Sequence, residues 1–169
     1  MKNMLKRRDV LSNSWKAALG LVAVAGIWTS WDVLRPRTTT GFGGLVKTLP
    51  RSAVPSDGVV AVRAAKGYLT EVDGEVIALS ETCPHLGCRV PWCESSGQFE
   101  CPCHGSFFSR AGDYLAGPTP RGMDRYPTEI QGETVMVDTG SLIEGPAPSA
   151  PKVIDEPARG PACTEGGGH

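Results

Sequence analysis

Two hexapeptides that contain cysteine and histidine constrain this chain more than any other feature of its sequence. They are Cys83-Pro-His85-Leu-Gly-Cys88 and Cys101-Pro-Cys103-His104-Gly-Ser106. Each supplies a thiolate and an imidazole at close spacing, as C-x-H in the first and C-x-x-H in the second. Two thiolates and two imidazoles can hold a [2Fe–2S] cluster in which histidines replace cysteines on one iron. We therefore expect one such cluster per chain, with four metal ligands: Cys83, His85, Cys101 and His104.

A structural zinc site is the alternative, because two cysteines and two histidines also form a tetrahedral zinc set. Zinc would leave the second cysteine of each hexapeptide, Cys88 and Cys103, without a role. A disulfide between these two could hold the loops together if their Cα atoms come within about 6–7 Å. The residues therefore favour iron and sulfide over zinc, and an iron and sulfide assay separates the two.

The two loops resemble the cluster-binding boxes of Rieske iron–sulfur proteins, specifically the disulfide-containing type found in cytochrome bc complexes. The resemblance covers about residues 58–138 and includes Gly117-Pro118-Thr119-Pro120, which is similar to the family's proline loop over the cluster. It implies that Cys88 and Cys103 are paired and that His85 and His104 are solvent-facing ligands.

The resemblance also points to two positions that set the reduction potential. High-potential members of the family have a serine two residues and a tyrosine four residues after the second histidine, and both hydroxyls hydrogen-bond to sulfur. This chain keeps the serine as Ser106 but has Phe108 in place of the tyrosine. Hydrogen bonds to sulfur raise the potential, so we expect a lower one here. A lower potential suits a low-potential quinol such as menaquinol.

The fold is expected to be all-β, with residues 51–140 forming a Rieske-type antiparallel β-sandwich and a small cluster-binding subdomain. Asp73-Gly74 predicts a type I′ hairpin, and Ser95-Ser96-Gly97 predicts a turn between the two loops. Strand-like runs occur at residues 58–62, 68–72, 75–79, 125–130 and 134–137. Four aromatic residues are expected in the core of the cluster subdomain: Trp92, Phe99, Phe107 and Phe108.

The N-terminus indicates export and membrane anchoring. Residues 1–13 are predicted to be cytoplasmic and contain Lys6-Arg7-Arg8-Asp9-Val10-Leu11, which resembles a twin-arginine signal. Residues 14–34 would span about 31 Å as a helix, close to the hydrocarbon thickness of a bilayer. Trp15, Trp28 and Trp31 stand at its ends, as in an interfacial belt. The alternative is a signal cleaved after Ala23-Val24-Ala25, which would leave two of the tryptophans without a membrane.

The segments on either side of the domain lack a strong pattern. Residues 35–50 are rich in glycine and small polar residues and are predicted to be a flexible linker or hinge. Residues 141–169 contain five prolines, five glycines and no aromatic residue, which predicts a disordered tail. Cys93 and Cys163 could pair with each other or with a partner, or remain as thiols.

Charge is divided unevenly along the 169 residues. Residues 1–37 carry seven basic and two acidic residues, whereas the remainder carries ten and sixteen. Because the basic residues are concentrated at the N-terminus rather than on a domain face, nucleic-acid binding is not expected. A structural disulfide favours a compartment outside the cytoplasm, so we expect a single-pass protein of the bacterial cytoplasmic membrane with its domain on the periplasmic side.

The resemblance implies the electron-transfer subunit of a quinol–cytochrome c oxidoreductase in a respiratory chain, which is not catalytic alone. Its partners would be quinol, a cytochrome b-type subunit and a cytochrome c-type subunit. His85 and His104 would be the groups that accept a proton and admit an electron. The alternative within the same cofactor class is the small subunit of a molybdenum oxidoreductase such as arsenite oxidase. A zinc-stabilised interaction domain on a membrane tether is the alternative from another class.

Overall fold

The computed structural model describes residues 7–34 and 43–164, and these belong to two separate compact units. The first contains one α-helix, α1 (Arg7–Leu34), which begins seven residues before the predicted span at 14–34. Its part from Asp9 to Leu34 is long and apolar enough to cross a membrane. Residues 1–6 and 35–42, which include part of the predicted cytoplasmic segment and of the predicted linker, lie outside the described residues.

The second unit consists of short antiparallel strands, as the all-β prediction requires. There are eleven within residues 43–164: β1 (Leu45–Pro50), β2 (Val60–Val62), β3 (Gly67–Val72), β4 (Glu75–Ser80), β5 (Trp92–Cys93), β6 (Gln98–Glu100), β7 (Phe107–Phe108), β8 (Tyr114–Ala116), β9 (Arg125–Tyr126), β10 (Thr128–Gln131) and β11 (Thr134–Asp138). They form three sheets, in the orders β1-β11-β10, β2-β3-β4-β9 and β5-β6-β7-β8.

Strand β1 corrects the linker prediction at its C-terminal end. Residues 45–50 were expected to belong to a flexible hinge, but Leu45, Val46 and Lys47 pair with Asp138, Val137 and Met136 of β11. The apolar residues of this segment make a strand possible, and the last strand of the domain offers it an edge. The domain therefore begins before residue 51.

Turn chemistry explains where the strands are joined and where they break. Asp73 and Gly74 both have positive φ, at 51° and 81°, as the predicted type I′ hairpin between β3 and β4 requires. The predicted strand over 125–130 is divided at Pro127, which has no N–H to donate. Residues before the proline pair with β4, and residues after it pair with β11. The chain therefore changes sheet at this proline.

Two buried clusters hold the three sheets together. The first lies between the β1-β11-β10 sheet and the β2-β3-β4-β9 sheet and includes Leu69, Val135 and Val137, each at most 1% exposed. The second joins the β2-β3-β4-β9 sheet to the β5-β6-β7-β8 sheet and contains Leu79, Phe99, Phe108 and Met123 at 0% exposure, together with Cys83 and Cys101. Truncation of a phenylalanine in such a core typically costs about 3–5 kcal/mol. The two cysteines are therefore fixed by the same packing that stabilises the domain.

The prediction of a disordered tail is wrong for residues 141–164. Ile143 forms a bridge with Arg125, and residues 145–164, which we call the C-terminal strap, run along the domain without regular secondary structure. A disulfide joins Cys163 to Cys93, and the buried carboxylate of Asp113 accepts the N–H groups of Val153 and Ile154 at 3.0 and 3.3 Å. The strap is thus held by a covalent bond and by polar side chains of the domain. The prediction of disorder considered only the apolar surface that the segment can bury, so it missed both.

Candidate iron–sulfur site

The two cysteine–histidine hexapeptides fold into loops that are closed by the same two backbone hydrogen bonds. In the first loop, Cys83 donates its N–H to the carbonyl of Cys88 at 2.7 Å and accepts the N–H of Gly87 at 3.0 Å. In the second loop, Cys101 donates to Ser106 at 2.8 Å and accepts from Gly105 at 3.1 Å. The first cysteine of each loop therefore occupies an equivalent position, at the start of a closed turn.

The glycine in each loop allows this closure. Gly87 has a φ of +80° and Gly105 a φ of +66°, a region in which residues with a Cβ atom are strained. The turn brings the sixth residue of each loop back to the first cysteine. The -Gly-Cys and -Gly-Ser endings of the two motifs are therefore a backbone requirement of the loops.

Cys83 and Cys101 are both buried, 2% exposed each, and both are free thiols. Burial raises the pKa of the Cys83 thiol, and the neighbouring Cys101 raises it further, whereas the N–H groups of His85 and Leu86 lower it. The raised pKa favours the protonated thiol at Cys83. A metal that binds Cys83 must therefore displace its proton, because the metal ligand is the thiolate.

The predicted disulfide is confirmed. Cys88 and Cys103 are joined, with their Cα atoms 6.6 Å apart, inside the limit expected from the sequence. The Sγ of Cys101 lies within 4.8 Å of both sulfurs of the bridge. The bridge thus connects the end of the first loop to the middle of the second, beside one of the buried thiols.

The two histidines lie next to each other at the same end of the domain. Their ring centroids are 4.9 Å apart with an interplanar angle of 88°. His104 is exposed and His85 is half-buried, but the Nδ1 of His85 is buried without a hydrogen-bond partner among the described residues. A buried nitrogen without a partner is costly in a protein, and a bond to a metal would satisfy it.

Ser106 presents a second unsatisfied group. It is 0% exposed, and its Oγ has no hydrogen-bond partner within the described part of the chain. The resemblance assigns this hydroxyl to a sulfur of the cluster. Together with the His85 nitrogen and the two free thiols, the hydroxyl makes a set of polar groups that fits an iron–sulfur cluster. These residues could hold the cofactor.

The loop at residues 117–120 crosses directly over the second cysteine–histidine loop. A Cβ atom on Gly117 would lie 2.5 Å from both the carbonyl oxygen of Gly105 and the Cα of Ser106. The hydroxyl of Tyr114 donates to the carbonyl of Gly117 at 2.8 Å. Only glycine fits at this crossing, so the approach of the proline-containing loop depends on that residue.

Phe108, where the family resemblance expects a tyrosine, is fully buried on β7. It pairs with Phe99 of β6 and belongs to the cluster of buried residues that contains Cys83 and Cys101. Phe99 is also buried, as predicted, while Trp92 and Phe107 are half-buried. The ring of Phe108 therefore lies in the same buried cluster as the two free cysteines, where a hydroxyl would be desolvated.

Glu100 is a residue of this region that the sequence analysis did not single out. It immediately precedes Cys101 and is 0% exposed. Burial pushes the pKa of its carboxyl upward, but hydrogen bonds from Ser96, Thr164 and the N–H of Cys163 hold that pKa below its ordinary value. Its position next to a motif cysteine was visible in the sequence, but two of its three partners are more than sixty residues away.

The family model of the Rieske [2Fe-2S] domain matches residues 46–127. The cytochrome b6-f complex iron-sulfur subunit of Synechococcus sp. (strain JA-2-3B'a(2-13)) is 30% identical over 148 residues, which cover 78% of this chain and 86% of that protein. This chain belongs to the Rieske protein family. The resemblance inferred from the two hexapeptides is confirmed.

Other relatives and one solved structure extend the comparison with Rieske proteins. The cytochrome b6-f complex iron-sulfur subunit of Chlorobaculum tepidum is 36% identical, covering 70% of this chain and 68% of that protein. The subunit of the same name from Chlorobaculum thiosulfatiphilum is 36% identical over 64 residues, which cover 38% of this chain and 35% of that protein. The cyanobacterial plasma membrane Rieske protein of Synechocystis PCC 6803 is 31% identical, with a TM-score of 0.45, over 55% of this chain and 98% of that one.

The Rieske domain binds a [2Fe–2S] cluster, so the predicted cofactor is confirmed. The unpartnered Nδ1 of His85, the unpartnered Oγ of Ser106 and the two buried thiols agree with that cofactor. The disulfide joins Cys88 and Cys103, the two cysteines that the zinc alternative leaves without a role.

Proposed function

We propose that this chain is the Rieske subunit of a membrane complex of the cytochrome b6-f or bc type, and that it takes one electron from quinol and passes it to a cytochrome. Relatives named as cytochrome b6-f iron-sulfur subunits support this proposal. The observation that carries it is the pair of histidine rings, 4.9 Å apart, beside two buried free thiols and a disulfide.

Four residues would hold the cluster: Cys83, His85, Cys101 and His104. When bound, the cluster supplies a one-electron redox centre whose potential is raised by neutral imidazole ligands. The two buried thiols would serve as thiolates on the inner side, and the two histidines would serve on the outer side. Ser106 would donate its hydroxyl to sulfur from within the core.

The two histidines would have a second role in binding quinol. An imidazole that binds iron through one ring nitrogen keeps the other for a hydrogen bond or a proton. We infer that His85 and His104 offer this nitrogen to a quinol hydroxyl, with His104 the more accessible of the two. The electron and the proton of quinol would then both be transferred at the histidine ligands.

The surface beside the histidines suits an apolar substrate and a protein partner. Leu86, between His85 and Gly87 in the first loop, is 70% exposed. Pro102 of the second loop and Pro118 of the crossing loop are also exposed. Exposed apolar residues concentrated at a functional end are typical of an interaction site, in agreement with a membrane cytochrome subunit and a quinol ring as partners.

The helix α1 would anchor the chain in the bacterial cytoplasmic membrane, with the β domain on the periplasmic side. The exposed Trp15, Trp28 and Trp31 suit the two interfaces of a bilayer. The two disulfides suit an oxidising compartment. Intact-mass analysis of the membrane-purified protein, with protease accessibility in spheroplasts, tests both retention of the helix and the side of the domain.

The function is tested by purifying the full chain from its native membrane and identifying the proteins that accompany it. We expect cytochrome b-type and c-type subunits, stoichiometric iron and sulfide, and a rhombic EPR signal that appears when quinol is added. Co-purification with a molybdenum subunit would contradict the proposal in favour of the arsenite oxidase type. A colourless protein with stoichiometric zinc would contradict the cofactor itself.

A further inference from the structure

The C-terminal strap ends on the hairpin that leads into the second cluster loop. Cys163 is covalently joined to Cys93 of β5. The N–H of Arg159 donates to the carbonyl of Ser96 in the hairpin turn at 2.8 Å. Ser95 in the same turn donates its hydroxyl to the carbonyl of Pro161, also at 2.8 Å. The hairpin of residues 92–100 is therefore held from outside by the last part of the described chain.

The same part of the strap surrounds the carboxylate of Glu100. One carboxylate oxygen accepts the hydroxyl of Ser96 at 2.6 Å, within the hairpin. The other accepts the N–H of Cys163 and both the N–H and the hydroxyl of Thr164, at 2.8, 2.8 and 2.9 Å. A carboxylate oxygen of Glu100 also lies within 4.8 Å of both sulfurs of the Cys93–Cys163 bridge. One of the two oxygens of this buried carboxylate therefore receives its hydrogen bonds from the strap alone.

The strap is fixed to the rest of the domain before it reaches the hairpin. Glu156 forms an ion pair with the buried guanidinium of Arg110 at 2.9 Å, and Arg110 also donates to the hydroxyl of Thr70 and the carbonyl of Glu71. Arg159 pairs with Asp57 and with Glu156. The strap therefore connects Arg110 and Asp57 to the hairpin of residues 92–100. Cys101 follows this hairpin directly in the chain.

We propose that residues 145–164 form a clamp on the cluster-binding hairpin, and that Glu100 is the positioning residue through which the clamp acts on Cys101. This inference rests on the proposed role of Cys101 as a cluster ligand. The clamp has two effects. It restricts motion of β5 and β6, and it holds a negative charge one residue from the ligand, which lowers the potential of the site because the reduced form carries the extra electron.

Two variants of the full-length holoprotein separate these effects. Glu100→Gln keeps the side-chain shape and removes the charge, and Glu94→Gln is the control, since Glu94 is an exposed acid on the same hairpin. The double substitution Cys93→Ser and Cys163→Ser opens the covalent anchor and leaves Glu100 in place. The readouts are the midpoint potential by film voltammetry, hydrogen–deuterium exchange of the hairpin and of residues 159–164, and iron loss to a chelator.

We expect Glu100→Gln to shift the midpoint potential upward and Glu94→Gln to leave it nearly unchanged. We expect the double serine variant to show at least about tenfold faster exchange in both the strap and the hairpin, and faster iron loss. Equal potentials in the two glutamine variants would overturn the role of Glu100. Unchanged exchange of the hairpin in the serine variant would overturn the clamp. Exchange does not need the cluster, so it decides the clamp even if the ligand assignment fails.

Discussion

Thr164 donates both its backbone N–H and its hydroxyl to one carboxylate oxygen of Glu100, at 2.8 and 2.9 Å. Glu100 has no exposed surface, and a buried carboxylate is stable only when hydrogen bonds replace its hydration. A residue near the C-terminus thereby completes the surroundings of the residue that precedes Cys101. The contact makes the C-terminal strap part of the Rieske domain rather than an appendage, and it places a charged group beside the cluster loop.

The two disulfides are expected to stabilise the domain to different degrees. The Cys88–Cys103 bridge closes a loop with a sequence separation of 15, and the Cys93–Cys163 bridge closes one of 70. Chain entropy predicts that their loss lowers the free energy of unfolding by about 3 and about 4 kcal/mol. Urea unfolding of the two paired serine variants measures this. A larger loss from the shorter loop would show that native contacts, rather than loop closure, set the order.

Phe108→Tyr is expected to raise the reduction potential of the cluster. Phe108 is fully buried among the residues around Cys83 and Cys101, so a hydroxyl there would be desolvated and would seek a sulfur acceptor. A net hydrogen bond of about 0.5–1.5 kcal/mol corresponds to a rise of roughly 20–65 mV for one electron. Ser106→Ala, which removes the other buried hydroxyl, should lower the potential by a similar or larger amount.

Protein-film voltammetry on the intact chain measures both substitutions. An EPR spectrum unchanged in shape is the control that each variant keeps its cluster. An unchanged or lower potential for Phe108→Tyr, with the cluster intact, would mean that this ring does not stand where the family's tyrosine hydroxyl acts.

Gly117→Ala is expected to displace the proline-containing loop from the second cysteine–histidine loop. The new Cβ would lie 2.5 Å from backbone atoms of Gly105 and Ser106, and Gly117 has a φ of +99°. Clash and backbone strain together should cost roughly 2–4 kcal/mol of unfolding free energy. Gly132→Ala is the matched control, because its φ is +63° and no atom lies within 4 Å of its Cβ position. Equal losses of unfolding free energy in the two variants would show that Gly117 is not packed closely against the second cysteine–histidine loop.

The strap is expected to loosen as the pH falls into the acid range. The hydrogen bond from Arg110 lowers the pKa of Glu156 below its ordinary value of 4.5, burial opposes this, and the charges of Arg110 and Arg159 add to the lowering. A lowered folded-state pKa stabilises the native state above the ordinary pKa, and this contribution is lost as the pH falls through the folded value. Urea unfolding at pH 7 and near pH 3 should therefore show a smaller pH dependence for Glu156→Gln.

Asp155→Asn is the control for this experiment, since Asp155 belongs to the same strap and its side chain is 87% exposed. Its unfolding free energy should keep most of the pH dependence of the unsubstituted chain. If the Glu156 and Asp155 variants respond alike, the ion pair with Arg110 does not hold the strap.

Local chemistry made the site predictable from the sequence. The two hexapeptides carry the cysteines, histidines, glycines and serine that the loops need, and each loop closes through backbone hydrogen bonds within its own six residues. The hairpin at Asp73-Gly74 was also predictable, because two residues with positive φ fix a two-residue turn. Such features depend on neighbours in the chain and are therefore visible in its sequence.

Only the tertiary structure decided the contacts between segments that are distant in the chain. The sequence indicated a flexible linker through residue 50 and a disordered tail from residue 141, because neither segment is rich in apolar residues. In the structure, β1 pairs with β11, and the strap reaches Cys93, Glu100, Arg110 and Asp113. Composition measures the apolar surface that a segment can bury, whereas these segments are ordered by a sheet edge, a disulfide and buried charges whose partners become neighbours only on folding.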